Sequence, residues 1–264
     1  MSQRATESLT ADEVERGLPE VGRFAELLLR RLGRFTRLEP GARIVDVGCA
    51  AGGLVLVLRR MGYDAVGVEP DPHARRTAAE LARRSGGEVP VLEGRAEELP
   101  LPDASCDLVV ASSVLEHVAD LGRSLREARR VLKPDGALWF YSTSALCPRQ
   151  REIRGFPLFG WYPDRLKKRI MRWAVRRRPE LVGHTANPAL HWFTPRMTRR
   201  LLKEAGFGEV TDRWRLRLPE EGGPAYRLAL KLIRTLPPVR FLADVLIPDS
   251  AYLAMVENGR DDTR

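Results

Sequence analysis

Two acidic residues 23 positions apart, a run of small residues after the first, and a glutamate beside a histidine are the positions in this 264-residue chain best suited to chemistry. The stretch IVDVGCAAGG (44–53) runs strand-type residues into a turn of small ones. Such a turn lets backbone approach a nucleotide closely. A phosphate-gripping loop would close on Gly-Lys-Ser/Thr, whereas Gly52 and Gly53 lead into Leu54 and Val55. A dinucleotide fingerprint anchored on Gly48 and Gly53 would put glycine at 50, where a pyrophosphate needs the nearest approach, and Ala50 stands there. Glu69 ends the next strand, where a carboxylate can accept both hydroxyls of a ribose; Asp71 is the better helix-initiating acid. Further on, Val114-Leu-Glu116-His117-Val118 follows another strand. Imidazole titrates near neutrality, so His117 is a candidate general base toward a hydroxyl, with helix capping or packing as the alternative.

Positioning these groups requires a sheet. ARIVDVG, AVGVEPD, VPVLEG, CDLVVASS and ALWFYST read as five strands. Between them, GGLVLVLRRMG, DPHARRTAAELARRSGG and LGRSLREARRVLKPDG read as helices, the last with a Lys-Pro-Asp-Gly exit. This alternation predicts a mainly parallel, doubly wound α/β sheet. Ahead of it, apolar spacing predicts a helix over 19–35, within an N-terminal helical extension, residues 1–39. After residue 146 the alternation breaks. A loop-like CPRQREIRGFPLFGWYPD precedes a basic amphipathic helix (RLKKRIMRWAVRRR) and a capped helix (TPRMTRRLLKEAG). FGEVTDRWRLRL then reads as a strand, two apolar-faced helices break at Pro237-Pro238, and AYLAMVEN supplies the last strand.

Composition bounds the rest. Hydrophobic residues at 44% allow a substantial core, and no stretch nears the roughly 18 apolar residues of a spanning helix. The polar first residues lack an apolar signal region, and three scattered cysteines (Cys49, Cys106, Cys147) suggest neither a disulfide framework nor a zinc cluster. A cytoplasmic location is expected, with the inner membrane face as a peripheral variant. The net charge of +9 is local: residues 149–178 hold eleven Arg/Lys against Glu152 and Asp164, and the remainder balances.

The loop Asp46-Val-Gly48-Cys-Ala50-Ala-Gly52 resembles the acidic-x-Gly-x-Gly-x-Gly loop of class I methyltransferases, which binds S-adenosyl-L-methionine (SAM). SAM has no phosphate to cradle, so alanine at 50 costs less there, and Asp46 would face a cationic ligand. Residues 93–142 resemble the same family almost end to end, including the Leu-Lys-Pro-Asp-Gly turn at 132–136. The resemblance implies a Rossmann-like seven-stranded sheet with its last pair antiparallel. It also implies helical lid insertions after strands five and six: a basic, aromatic one at 147–193 and a helical one at 219–248, within a domain at 40–264. SAM contacts are then expected from Asp46, Gly48, Ala50, Gly52, Glu69, Pro70, Arg95, Ala96, Glu97 and Ser112. Arg95 stands where the family has Asp, so its contribution to adenine differs, while a backbone contact from Ala96 can persist.

Within the family, the stretch looks most like O-methyltransferases of ubiquinone biosynthesis, some of which hold a divalent metal through Glu-x-x-Glu-His. Ser113 replaces the first carboxylate here, and no required metal is expected. The resemblance implies methylation of a small, hydrophobic acceptor, with oxygen favoured: a quinone-like, lipid-like or secondary metabolite. The acceptor side is assigned to Glu116, Trp161, Tyr162, His191 and Trp192, with His184 a further candidate, because such pockets are mostly apolar and aromatic; the alternatives are ordinary core packing for the aromatics and local backbone satisfaction for the histidines. The basic helix 165–178 is expected to meet an anionic membrane, with Lys167, Lys168, Arg172 and Arg176 over headgroups and Leu166, Ile170 and Trp173 in the acyl boundary; a solvated charged face or a lid over the acceptor is the alternative. Nucleic acid ranks lower. An RNA or protein methyltransferase using 149–178 to hold a polyanion is the alternative.

Overall fold

β-Branched and aliphatic runs buried on both faces build the centre of a computed structural model that describes residues 9–183 and 188–257. Seven strands form one sheet: β1 (Arg43–Val47), β2 (Asp64–Glu69), β3 (Val91–Glu93), β4 (Cys106–Ser112), β5 (Leu132–Thr143), β6 (Phe207–Asp212) and β7 (Asp249–Val256). Their spatial order is β3-β2-β1-β4-β5-β7-β6. The first five pair in parallel, and β7 runs antiparallel to both β5 and β6. The carboxyl ends of β1, β2, β4, β5 and β6 therefore share one edge.

Alternation along β1 and β4 divides the core. Ile44, Leu108 and Val110 face the side covered by α1 (Ala11–Leu32), α2 (Gly53–Arg60) and α3 (Pro72–Ser85). Val45, Val47, Val109 and Ala111 face α4 (Leu121–Val131) and α6 (Pro195–Glu204). The helix expected at 19–35 starts eight residues earlier, at Ala11. Thr10 and Glu13 form a reciprocal capping box there, and Val14 is buried against Gly53, so the helix passes through Pro19. α1 thus contributes Val14, Ala25, Leu28 and Leu32 to the same core as β1 and α2.

Two other boundaries move for local reasons. The Lys-Pro-Asp-Gly exit lies within β5, where register jumps from Cys106↔Leu132 to Leu108↔Ala137. The strand expected across FGEVTDRWRLRL stops at Asp212, because Asp212 Oδ1 accepts the N–H groups of Trp214 and Arg215 and starts the short helix α7 (Arg213–Leu216).

Both insertions rise from the shared edge. The one after β5 carries α5 (Asp164–Arg177) and has its own small core of Ile153, Phe159, Met171, Ala174, Val182, Ala189 and Trp192. The one after β6 continues from α7 into α8 (Pro224–Thr235) and α9 (Pro237–Leu246). Among the described residues, no helix is long and apolar enough to cross a membrane.

Candidate functional site

The turn after β1 reverses by left-handed backbone at Gly48 (φ 68°), Ala50 (φ 47°) and Gly52 (φ 72°). A Cβ at Gly48 would lie 2.5 Å from Val114 Cγ2, and one at Gly52 2.4 Å from Val89 Cγ1, so the turn has no room for side chains at either position. Ala50 carries its strained φ with help: its N–H donates to Glu69 Oε2 at 2.9 Å. Glu69 Oε1 accepts the Asp71 N–H at 3.0 Å. The carboxylate at the end of β2 is thereby fixed beside the turn, with lone pairs left for a diol.

Asp46 lies beneath the same turn and is 5% exposed. Burial, and then the charge of Glu69, push its carboxyl up to about 7. Two carboxylates this close favour a cationic ligand carrying a diol, and SAM offers an ammonium, a sulfonium and a ribose. The donor set fits the cofactor. Cys49, in the turn, is buried and its thiol pushed far up by burial, so it is unsuited to act as a nucleophile.

Opposite the turn, Ser113 adopts φ 57° at the end of β4 and places Val114 over Gly48. His117 is half-buried in the same loop, its N–H donating to the Val114 carbonyl at 2.8 Å. Glu116 turns inward: it is 2% exposed and accepts Ser142 Oγ–H at 2.6 Å. Burial pushes its carboxyl up to about 8, which keeps it mostly protonated at neutral pH.

A strap at 188–193 is tied onto this loop. The Leu190 and His191 N–H groups donate to the Glu116 carbonyl at 2.7 and 3.2 Å. His191 Nε2 lies 2.9 Å from the Val118 carbonyl, which requires the tautomer protonated there. Burial lowers the His191 pKa, so the ring is neutral at working pH. His191 thus joins the loop that carries His117, whereas Trp192 faces away into the insertion's core, with Lys167 Nζ 4.4 Å from its ring centroid and Phe159 edge-on at 5.9 Å. Trp161 is more than half exposed and anchored by Nε1–H to the Leu146 carbonyl; Tyr162 packs on Phe159.

The remaining expected cofactor residues divide. Ser112 ends β4 opposite Tyr141, and the Pro70 carbonyl accepts Arg75 Nη1. Arg95 is exposed and its carbonyl accepts the Glu98 N–H at 3.0 Å, Ala96 is buried in the core, and Glu97 Oε1 accepts the N–H groups of Ala119 and Asp120. Glu97 therefore holds the approach to α4. His184 lies outside the described residues.

Helix α5 does not present its cations as one surface. Lys167 is 2% exposed, paired with Asp164 and stacked on Trp192, and Ile170 packs against the insertion's core. That corrects the expectation that Lys167 reaches headgroups. Lys167, Met171 and Ala174 repeat at i, i+4, i+7, the signal of a buried stripe. Leu166 and Trp173 are exposed.

Residues 45–140 match the family model described as a methyltransferase domain. The chain is 40% identical over 121 residues to the ubiquinone biosynthesis O-methyltransferase of Azorhizobium caulinodans, covering 45% of this chain and 48% of that one. Against the protein of the same name from Methylobacterium sp. it is 34% identical over 135 residues, covering 47% and 52%. The chain thus spans about half the length of the curated relatives it matches. The crystal structure of YcgJ from Bacillus subtilis shares the fold, with TM-score 0.55, 18% identity, and coverage of 93% of this chain and 100% of that one. Residues 45–140 are thus a methyltransferase domain, and the seven-stranded sheet around them has the class I SAM-dependent methyltransferase fold, which implies SAM as the cofactor of the turn after β1.

Proposed function

We propose that this protein transfers the methyl group of SAM to a hydroxyl of a small hydrophobic acceptor. The observation that carries the reading is the strap: an insertion with an aromatic core is hydrogen-bonded directly to the loop that holds His117, across from the cofactor turn. An apolar acceptor lodged under that insertion would present its hydroxyl at the carboxyl edge of the sheet. The matched relatives named as O-methyltransferases support oxygen as the acceptor atom.

When bound, SAM supplies a methyl carbon already activated by its sulfonium. The protein's part is alignment, worth roughly 7–11 kcal/mol in favourable cases, and management of one proton. Asp46 and Glu69 would hold SAM through its cationic and diol groups, and His117 would accept the proton of the acceptor hydroxyl. Glu116, protonated and bonded to Ser142, shapes the acceptor side from beneath, and neutral His191 holds the loop through Val118.

The test is turnover with a panel of quinols, phenols and hydroxylated lipids, with methylated product identified by mass spectrometry. His117→Ala is expected to lower turnover by ~10²-fold with SAM affinity unchanged. Unaltered turnover would remove His117 as the base. The alternative acceptor class, RNA or protein, draws on the exposed Arg165, Arg169, Arg172, Arg176, Arg177 and Arg178. Methyl label appearing on tRNA or protein, and on none of the small acceptors, would favour it.

A further inference from the structure

Six large apolar side chains on α8 and α9 lie open to solvent: Leu228, Leu232, Leu236, Phe241, Leu242 and Leu246. Three recur every four residues along α8 and its end, and Leu242 and Leu246 do so along α9, so each helix turns an apolar stripe outward. Phe241 is 61% and Leu246 69% exposed, far from the half-covered state of ordinary surface apolar residues. The inner sides of the same helices are fixed. Asp244 is buried and accepts Trp214 Nε1–H at 2.7 Å, Arg234 donates to the Trp214 and Arg217 carbonyls, and Arg240 pairs with Asp212. The outward stripe is therefore the chosen face of a well-anchored hairpin.

Charge decides what fits it. Among the described residues of α8 and α9, the exposed charges are Arg227 and Lys231, and the one acid is the buried Asp244. A second copy would bring like charges together. An anionic headgroup layer over acyl chains answers both the cations and the apolar stripe. The surface also continues toward the active edge. Leu146, whose carbonyl anchors the exposed Trp161, lines one small cavity with Arg240 and Asp244, so the α5 insertion and the α8–α9 hairpin meet there.

We propose that α8 and α9 seat this protein on the surface of an anionic phospholipid bilayer. Leu228, Leu232, Phe241, Leu242 and Leu246 enter the acyl boundary, and Arg227 and Lys231 lie at the headgroups. Because both insertions rise from the edge that holds the cofactor turn, the docked protein opens its acceptor side toward the lipid.

The test uses the full chain and reads binding, not methyl transfer. Flotation with vesicles of phosphatidylglycerol and phosphatidylcholine is compared with vesicles of phosphatidylcholine alone. Binding is expected to the anionic vesicles and to weaken with salt. The double variant Phe241→Ser/Leu246→Ser is expected to lose at least tenfold in partitioning at low and high salt alike. Arg227→Gln/Lys231→Gln is expected to lose several-fold at low salt and little at high salt. SAM affinity by calorimetry is expected to be unchanged in both. Leu242→Trp gives a second readout, an emission shift to the blue on anionic vesicles. Three results would overturn the proposal: no vesicle binding at low salt, binding indifferent to these substitutions, or a dimer in sedimentation equilibrium that Phe241→Ser/Leu246→Ser dissolves. tRNA binding without vesicle binding would also overturn it and give the cations to nucleic acid.

Discussion

At the scale of single residues, Glu69 and Asp46 do different work although both are carboxylates at one turn. Glu69 is held by the Ala50 and Asp71 amides, so its geometry is set before any ligand arrives. Glu69→Ala is expected to weaken SAM by roughly 1–3 kcal/mol, measured by calorimetry, since charged hydrogen bonds to the ribose are lost. It also frees the strained Ala50 amide, so part of the loss is positional. Asp46 carries the pH dependence. With its carboxyl at about 7, a cationic ligand must bind the ionised form, and below that pH a proton has to leave first. SAM affinity is expected to fall by up to about tenfold per pH unit as pH drops from 7 to 5.5. Asp46→Asn should bind weakly and without that slope. A wild-type affinity flat over this range would show that Asp46 does not face the ligand's charge. Types and spacing pointed to Asp46, Gly48 and Glu69, which the fold gathers at one turn. They did not reveal that the amide of Ala50 is what Glu69 holds, because that contact depends on the turn's left-handed backbone.

At the scale of elements, the insertion after β5 is a small folded unit with its own core, connected to the sheet through the strap. Trp192 is central to it, 3% exposed between Phe159 and Lys167. Trp192→Ala is expected to cost about 3–5 kcal/mol locally. Hydrogen exchange should speed up across 153–182 while the amides of β1 and β4 keep their protection, and SAM affinity should hold. Equal loss of protection in the sheet would mean that insertion and sheet unfold as one unit. The alternation of strands and helices up to residue 146 was legible because each element answers to one local period. Beyond it, local period misleads. FGEVTDRWRLRL alternates like a strand, yet Asp212 captures two amides and turns Trp214 into the core. The basic run of α5 looks like one solvated face, yet Lys167 is covered, because its stem packs and its charge meets Asp164 and a ring. The first outcome is a local cap that competes with the strand's alternation, whereas the second depends on Trp192, distant in sequence, and could not be read without that partner. Trp192 was assigned to the acceptor on its aromatic character, with core packing as the alternative; it packs in the insertion's core, because one step along the strap from His191 reverses the side chain's direction.

At the scale of the whole molecule, folding buries three acids among the described residues against their preference. Glu116, Glu152 and Asp46 are driven up to about 8, about 6 and about 7, in each case first by burial. A carboxyl whose folded pKa is raised favours the fold while protonated, and the fold loses that contribution as pH rises from the unfolded value through the folded one. Stability is therefore expected to decline from about pH 4.5 to about pH 8, with Glu116 alone responsible for the uppermost part of that window. His191 opposes this near pH 6.5: its lowered pKa makes the fold gain stability as pH rises and the unfolded imidazole loses its proton. A single melting curve cannot separate these, but a difference can. Glu116→Gln keeps an oxygen for Ser142 Oγ–H and leaves His191, Asp46 and Glu152 in place, so their contributions cancel in the comparison with wild type. The two proteins should melt alike near pH 5 and diverge as pH rises, with the variant more stable by roughly 2–4 kcal/mol above pH 8. Denaturant melts at half-unit steps from pH 5 to 9 read this directly. Parallel curves would mean that water reaches Glu116 and that the strap over its carbonyl does not seal the floor of the site.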